Sequence, residues 1–326
     1  MKRKLILGVV LLVVAVSVGC GLFVKVRPAD ELFRPAAGIK GQPPPDNFID
    51  VNGVKYHYLH VPGPGTKVLL IHGFGSSTYT WEGVLPWLSR EGFDVWAVDM
   101  YGFGWSDKPK DAAYDPVSLM EGVNSFMEAV GLKSAVVIGN SLGGEVTLLL
   151  SARHPDKVEK MALVDARVYL KKRPLIVTLA AMPGARVIGK LIFGEGMVRS
   201  NIRAVFYNDS LITQERIDSY FARLRTEGAL DATTAIARSV GKKPSEEVQT
   251  MPPKVKVPTL ILWGADDGWI PVEHALRLKR EIPGSKMVLL EQCGHVPQEE
   301  KPLETARVLA DFTAGRDFKE TPLLGR

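Results

Sequence analysis

The stretch from Ser134 to Gly144, Ser-Ala-Val-Val-Ile-Gly-Asn-Ser-Leu-Gly-Gly, constrains the fold more than any other part of the chain. An apolar β-like run stops there at a turn of small residues carrying Ser141, and a strand that ends in Gly-x-Ser-x-Gly reads as a nucleophile elbow. Such a sharp turn leaves no room for a Cβ against the neighbouring strand and helix, which explains Gly139 and Gly143. The backbone strain lifts the serine hydroxyl clear of the sheet. Residues Glu145 to Arg153 can continue as a helix whose N-terminal amides point at negative charge developing beside Ser141. Acyl transfer requires that geometry. Five residues with three fixed positions also arise by chance, so a glycine-rich turn with an incidental serine is the competing reading.

The text on either side of the elbow repeats one rhythm. Phe48 to Val51 and Val54 to Val61 flank Asn52-Gly53, a strong hairpin turn signal. Lys67 to Ile71 then runs into His72-Gly-Phe-Gly-Ser-Ser77, and Asp94 to Asp99 runs into Met100-Tyr-Gly-Phe-Gly-Trp-Ser106, with helical text between them around Trp81 to Arg90. A further helix near Val117 to Val130 precedes the elbow strand, and Lys160 to Asp165 follows it. Strands alternating with helices predict an α/β fold with a parallel sheet and right-handed crossovers, and the loops at one sheet edge then gather the chemistry.

Between residues 167 and 257 that rhythm disappears. Ile217, Tyr220, Phe221 and Leu224 sit at helical spacing, so this segment is expected to be an inserted helical cap. Its apolar residues Leu175, Ile176, Met182, Ile192, Phe193 and Met197 fit a greasy substrate roof or packing between helices; packing is the better reading for any one of them. The sheet resumes with Pro258 to Trp263, ending in Gly264-Ala-Asp-Asp267, and with Lys286 to Leu290, leading to Cys293-Gly-His295. Pro302 to Thr313 reads as a closing helix. The expected core thus spans 47–166 and 258–315, with a loose tail over 316–326.

The N-terminus is the compositional outlier. Met1-Lys-Arg-Lys4 precedes Leu5 to Val24, twenty residues without a charge, enough for a helix to cross a hydrocarbon layer of ~30 Å. Residues 1–24 therefore read as a membrane anchor, or as a lipoprotein-type signal at Ser17-Val-Gly-Cys20, with a cleaved signal peptide as the rival. Residues 25–46, with their proline run, read as a spacer. The basic end predicts a cytoplasmic N-terminus, so the expectation is a membrane-tethered chain with its catalytic domain on the extracytoplasmic side. Three of the five net positive charges belong to Lys2, Arg3 and Lys4, and the remaining two give no case for nucleic acid. Two cysteines in unlike contexts, and no His-Glu-x-x-His, support neither a disulfide framework nor a zinc site.

A serine hydroxyl is a poor nucleophile at neutral pH and needs a base and a group that orients the base. Of six histidines, only His295 follows a late strand in a turn of small residues. Asp267 also sits just past a strand. Asp266 is its neighbour, and Asp165 ends an earlier strand, so both are rival carboxylates. With His72-Gly-Phe-Gly, Asp99 to Pro109, Gly139 to Gly144, Gly264-Ala-Asp-Asp267, Gly294-His295 and Glu300-Lys-Pro302 in this order, the chain from about 48 to 315 resembles an α/β-hydrolase. The resemblance implies Ser141 as nucleophile, His295 as general acid and base, and Asp267 as the carboxylate that fixes the imidazole tautomer. It also implies the backbone amides of Phe74 and Leu142 as oxyanion donors.

Serine at the elbow points to attack on an acyl carbon, although Gly102 to Pro109 resembles dehalogenases, which attack with aspartate. The expected reaction is hydrolysis of a carboxylic ester, an acylglycerol or another lipid-derived ester, with a small apolar ester as partner. The same three residues suit carbon–carbon cleavage of a vinylogous diketone, a lactone or perhydrolysis, and a non-catalytic ligand-binding receptor is the reading from outside enzymology. His72-Gly-Phe-Gly lacks the extended glycine-rich loop of many lipases, which argues against long triglycerides. It also begins like a dinucleotide fingerprint, but Thr78 replaces the third glycine, so no cofactor is expected there.

Overall fold

The computed structural model describes residues 25–36, 46–169, 194–240 and 244–322. Eight strands form one sheet: β1 (Asp46–Val51), β2 (Val54–Val61), β3 (Lys67–Ile71), β4 (Asp94–Val98), β5 (Ala135–Asn140), β6 (Val158–Val164), β7 (Thr259–Gly264) and β8 (Lys286–Leu290). Their order is β1-β2-β4-β3-β5-β6-β7-β8. The hairpin forms at Asn52-Gly53, where both residues take the positive φ of a tight turn (55° and 81°). β1, β2 and β4 pair antiparallel; every pairing from β4 through β3 to β8 is parallel. The α/β expectation is borne out.

Alternation along the strands divides the core into two faces. Leu69, Ile71 and Val137 pack with the helices Pro116–Ala129 and Leu142–Arg153, whereas Val68, Leu70, Val136 and Ile138 pack with Leu85–Arg90 and Pro302–Ala314. β5, central and buried at all six residues, is apolar on both faces because helices cover both.

Between β6 and β7 the described residues form helices Glu195–Val205, Gln214–Leu224, Ala229–Val240 and Glu246–Thr250. Val198, Ile202, Phe206 and Ile217 make a small core of their own, which also includes Val296 beside His295. Leu175, Ile176, Met182, Ile192 and Phe193 lie outside the described residues. Arg167, in a buried ion pair with Glu145 of the elbow helix, donates to the Val240 carbonyl (2.8 Å) and ties the inserted helices to the core.

Three expectations change. Residues 25–36 pack against the domain instead of spacing it: Arg27 pairs with Thr226, Leu32 is buried, and the Phe33 ring meets Phe48, His57 and Trp105. The tail docks on the sheet edge, where the Thr321 amide donates to the Met287 carbonyl and the Leu289 amide to Thr321 Oγ1 (2.8 and 2.9 Å). An edge strand offers unpaired backbone groups to any segment within reach. The membrane tether, with its extracytoplasmic catalytic domain, is also corrected: no helix among the described residues is long and apolar enough to cross a membrane. Their longest helix, Pro116–Ala129 with 14 residues, spans about 21 Å against the ~30 Å of a hydrocarbon core. Residues 1–24, which carried the anchor and lipidated-Cys20 readings, lie outside the described residues.

Candidate active site

β5 delivers Ser141 at φ 55° and ψ −114°, a conformation that costs a non-glycine residue on the order of 1–3 kcal/mol. Its neighbours hold it there. The Ser141 amide donates to the Val164 carbonyl (2.9 Å), and the Ser141 carbonyl accepts from the amides of Gly144 and Arg167 (3.0 Å each). A Cβ at Gly139 would run into the Gly143 carbonyl, and one at Gly143 into the Ile71 carbonyl, so the two glycines are steric requirements of this turn.

The other two residues arrive from the ends of β7 and β8. Asp267 Oδ2 accepts from His295 Nδ1 (2.7 Å), while Asp267 Oδ1 accepts from the amides of Trp269 (2.7 Å) and Ile270 (2.9 Å). Both carboxylate oxygens are thereby fixed, and the imidazole is turned with Nε2 outward from the aspartate. His295 Nε2 is buried and has no hydrogen-bond partner among the described residues. Asn140, the residue before Ser141, donates to the His295 carbonyl (3.1 Å), which ties the histidine loop to the elbow. Ser141, Asp267 and His295 are all buried, at 8%, 7% and 3% exposure. An imidazole oriented on one side and open on the other can accept a proton from a hydroxyl brought within reach, and no hydrogen bond joins Nε2 to Ser141 Oγ here.

The loop after β3 lies against the serine: a Cβ on Gly73 would sit 3.0 Å from Ser141 Cβ. Phe74 follows. No hydrogen bond within the described residues takes up its amide. Leu142 opens the helix that follows the elbow, and amides of a first helical turn lack intrahelical acceptors. These are the two amides expected to serve an oxyanion beside Ser141.

Of the rival carboxylates, Asp266 is exposed and accepts from the Gln292 amide (3.0 Å), away from the imidazole. Asp165 is buried beside the Asp267–His295 pair. His72 is a loop strut: its Nδ1–H donates to the Gly73 carbonyl (2.8 Å) and its Nε2 accepts from the Met100 amide (3.1 Å). Burial pushes its pKa down, in keeping with a neutral ring. Asp99 anchors its own loop by accepting from the amides of Thr78 (2.6 Å) and Trp105 (2.8 Å). One oxygen each of Asp165 and Asp267 and one nitrogen of His295 lie within 4.8 Å of one another. The Asp267 oxygens already accept from backbone amides and from His295 Nδ1, so the cluster is not assigned to a metal.

The inserted helices grip the histidine loop through contacts that the sequence did not signal. The His295 amide donates to the Val205 carbonyl (2.8 Å), and Glu300 accepts from the amides of Gly294 (2.7 Å), Tyr207 (2.9 Å) and Asn208 (3.1 Å). Glu299, buried, accepts from Tyr220 (2.5 Å) and Thr80 (2.6 Å) and pairs with Arg216. Glu300-Lys-Pro302 carried the only sequence signal for any of this, as part of a motif without an assigned contact.

A family profile described as the alpha/beta hydrolase fold matches residues 66–186 and 199–302. The chain is 32% identical over 271 residues to the hydrolase YugF of Bacillus subtilis, covering 82% of this chain and 97% of that one. It is 27% identical over 270 residues to a 2-hydroxymuconate semialdehyde hydrolase of Pseudomonas putida, covering 79% and 91%. Among solved structures, a bacterial membrane phospholipase A, a virulence factor, superposes with a TM-score of 0.70 at 30% identity, covering 97% of this chain and 99% of that chain.

Proposed function

Because the chain belongs to the α/β-hydrolase family, we propose that it cleaves a carboxylic ester, with a lipid-derived acyl ester as substrate, through an acyl-enzyme on Ser141. The observation that carries this reading is the buried His295 imidazole, held through Nδ1 by Asp267 and left open at Nε2, on a loop that Asn140 ties to Ser141. Ser141 Oγ attacks the acyl carbon as Nε2 takes its proton. The ionised Asp267 stabilises the imidazolium without taking that proton itself. Negative charge on the former carbonyl oxygen falls to the amides of Phe74 and Leu142. The imidazolium then protonates the departing alcohol, and a water activated by the same nitrogen releases the acid.

The likeness to a phospholipase A supports a lipid acyl ester. A second reading, hydrolysis of a carbon–carbon bond in a vinylogous diketone, is favoured by the likeness to the 2-hydroxymuconate semialdehyde hydrolase and needs the same three residues. A panel of p-nitrophenyl esters of increasing acyl length, a phospholipid, a lactone and a vinylogous diketone, each run beside Ser141→Ala, separates the two. Ester turnover that vanishes in the variant is expected. Turnover of the diketone alone moves the assignment to the second reading, and ester turnover equal in the variant contradicts both.

A further inference from the structure

A second acidic group lies beside the Asp267–His295 pair and has no part in the mechanism above. Asp165 directly follows β6, is fully buried and holds a φ of 45°, a strained conformation that aspartate tolerates better than most residues. Its amide donates to the Leu262 carbonyl and its Oδ1 accepts from the Gly264 amide, both at 3.1 Å, which pins the side chain against β7. Its Oδ2 is buried without a hydrogen-bond partner among the described residues.

Two buried carboxyls as near as Asp165 and Asp267, within 4.8 Å, do not both ionise: the pair retains a proton. The hydrogen bonds decide where it sits. Asp267 accepts two backbone amides and the His295 Nδ1–H, each of which favours the anion, whereas Asp165 accepts one amide. The raised Asp165 pKa leaves the proton on Asp165, and its open Oδ2 is the oxygen free to carry it. Burial, and next the Asp267 carboxylate, push the Asp165 carboxyl well above the usual range. Glu300, from the segment after β8, acts in the same direction. The Cys293 thiol also faces this group, and burial, followed by Asp165, keeps it protonated.

Taking the roles of Ser141 and His295 from the reading above, we propose that Asp165 is a positioning residue that stays neutral and directs its Oδ2–H at the Asp267 carboxylate. The donor fixes Asp267 and draws electron density from it, so His295 is less basic than a lone Asp267 would make it.

The test is the acid limb of kcat/KM against pH on a short p-nitrophenyl ester, which follows loss of the His295 proton in the free enzyme. Asp165→Gly removes the donor and suits the positive φ. Its limb is expected to move upward by about half a pH unit or more, because an undamped Asp267 makes His295 more basic. Asp165→Asn keeps an N–H donor, and its limb is expected to coincide with that of wild type. A downward shift in Asp165→Asn would mean that a negative charge had been removed and would overturn the proposal. An unmoved limb in folded Asp165→Gly reduces Asp165 to a structural part and overturns it as well. Should Asp165→Gly fail to fold, infrared difference spectra of wild type against Asp165→Asn decide: a protonated-carboxyl band present at neutral pH and lost in the variant supports the proposal, and its absence from wild type contradicts it. Labelling of wild-type Ser141 by a fluorophosphonate reports separately on the underlying reading.

Discussion

Among the described residues there are two buried histidine–aspartate pairs, and their difference separates a candidate site from a strut. His295 Nδ1 meets Asp267 at 2.7 Å and His57 Nδ1 meets Asp99 at 2.8 Å. At His57, however, Nε2 is also bonded, to Asp46 Oδ1 at 3.0 Å, whereas His295 Nε2 has no partner among the described residues. An imidazole between two carboxylates donates from both nitrogens and is held as the cation. Burial works against that charge, but the carboxylates of Asp99 and Asp46 outweigh it and the His57 pKa is raised. His57 thus pins β1, β2 and the loop after β4 together. A His–Asp pair alone is no evidence of catalysis; an oriented ring with one nitrogen left open is what a catalytic reading needs.

The largest expected effects fall on the open pair. Ser141→Ala or His295→Ala should lower kcat on the best ester of the panel by at least about 10⁴-fold with the circular dichroism spectrum unchanged. Asp267→Asn should lose about 10²- to 10⁴-fold, while Asp266→Asn, whose side chain faces solvent, should stay within about threefold. The reverse ranking of the two aspartates would move the acid.

For the closed pair the expectation is inverted. His57→Gln leaves two buried carboxylates without their cation and should destabilise the fold by about 3 kcal/mol in urea unfolding, while activity per folded molecule changes less than tenfold. Loss of activity without loss of stability would make His57 part of the chemistry. The smallest effect lies in the pH dependence. A raised pKa means that the His57 contribution is fully present below its unfolded value of about 6.5 and is lost as pH rises through the folded value. The stability gap between wild type and His57→Gln should therefore narrow above that range, and a gap that widens with pH contradicts the cationic assignment.

How far the sequence could be read follows the range of the contacts involved. The elbow was legible because steric demands write glycines at fixed offsets from Ser141, and the α/β sheet because fully covered strands are apolar throughout. The choice of Asp267 over Asp165 and Asp266 came from the family resemblance alone, since Asp266 and Asp267 are neighbours and Asp165 ends a different strand, so only the tertiary turn shows which of them faces His295. The grip of the inserted helices on the histidine loop joins residues 205–208 to 294–300, a pairing that no local pattern announces. Residues 25–36 and the tail read as spacer and loose end for lack of periodicity, yet single anchors such as Phe33 and Thr321 dock them.

The central claim is that Ser141 is a nucleophile activated by a histidine open at one nitrogen. Intact-mass analysis after incubation with a fluorophosphonate at neutral pH tests it most directly. The account predicts one adduct per wild-type chain, mapped to Ser141, with labelling at least about a hundredfold slower in His295→Ala and none in Ser141→Ala. A folded wild-type chain that takes no label, or Ser141→Ala labelled as fast as wild type, would contradict it.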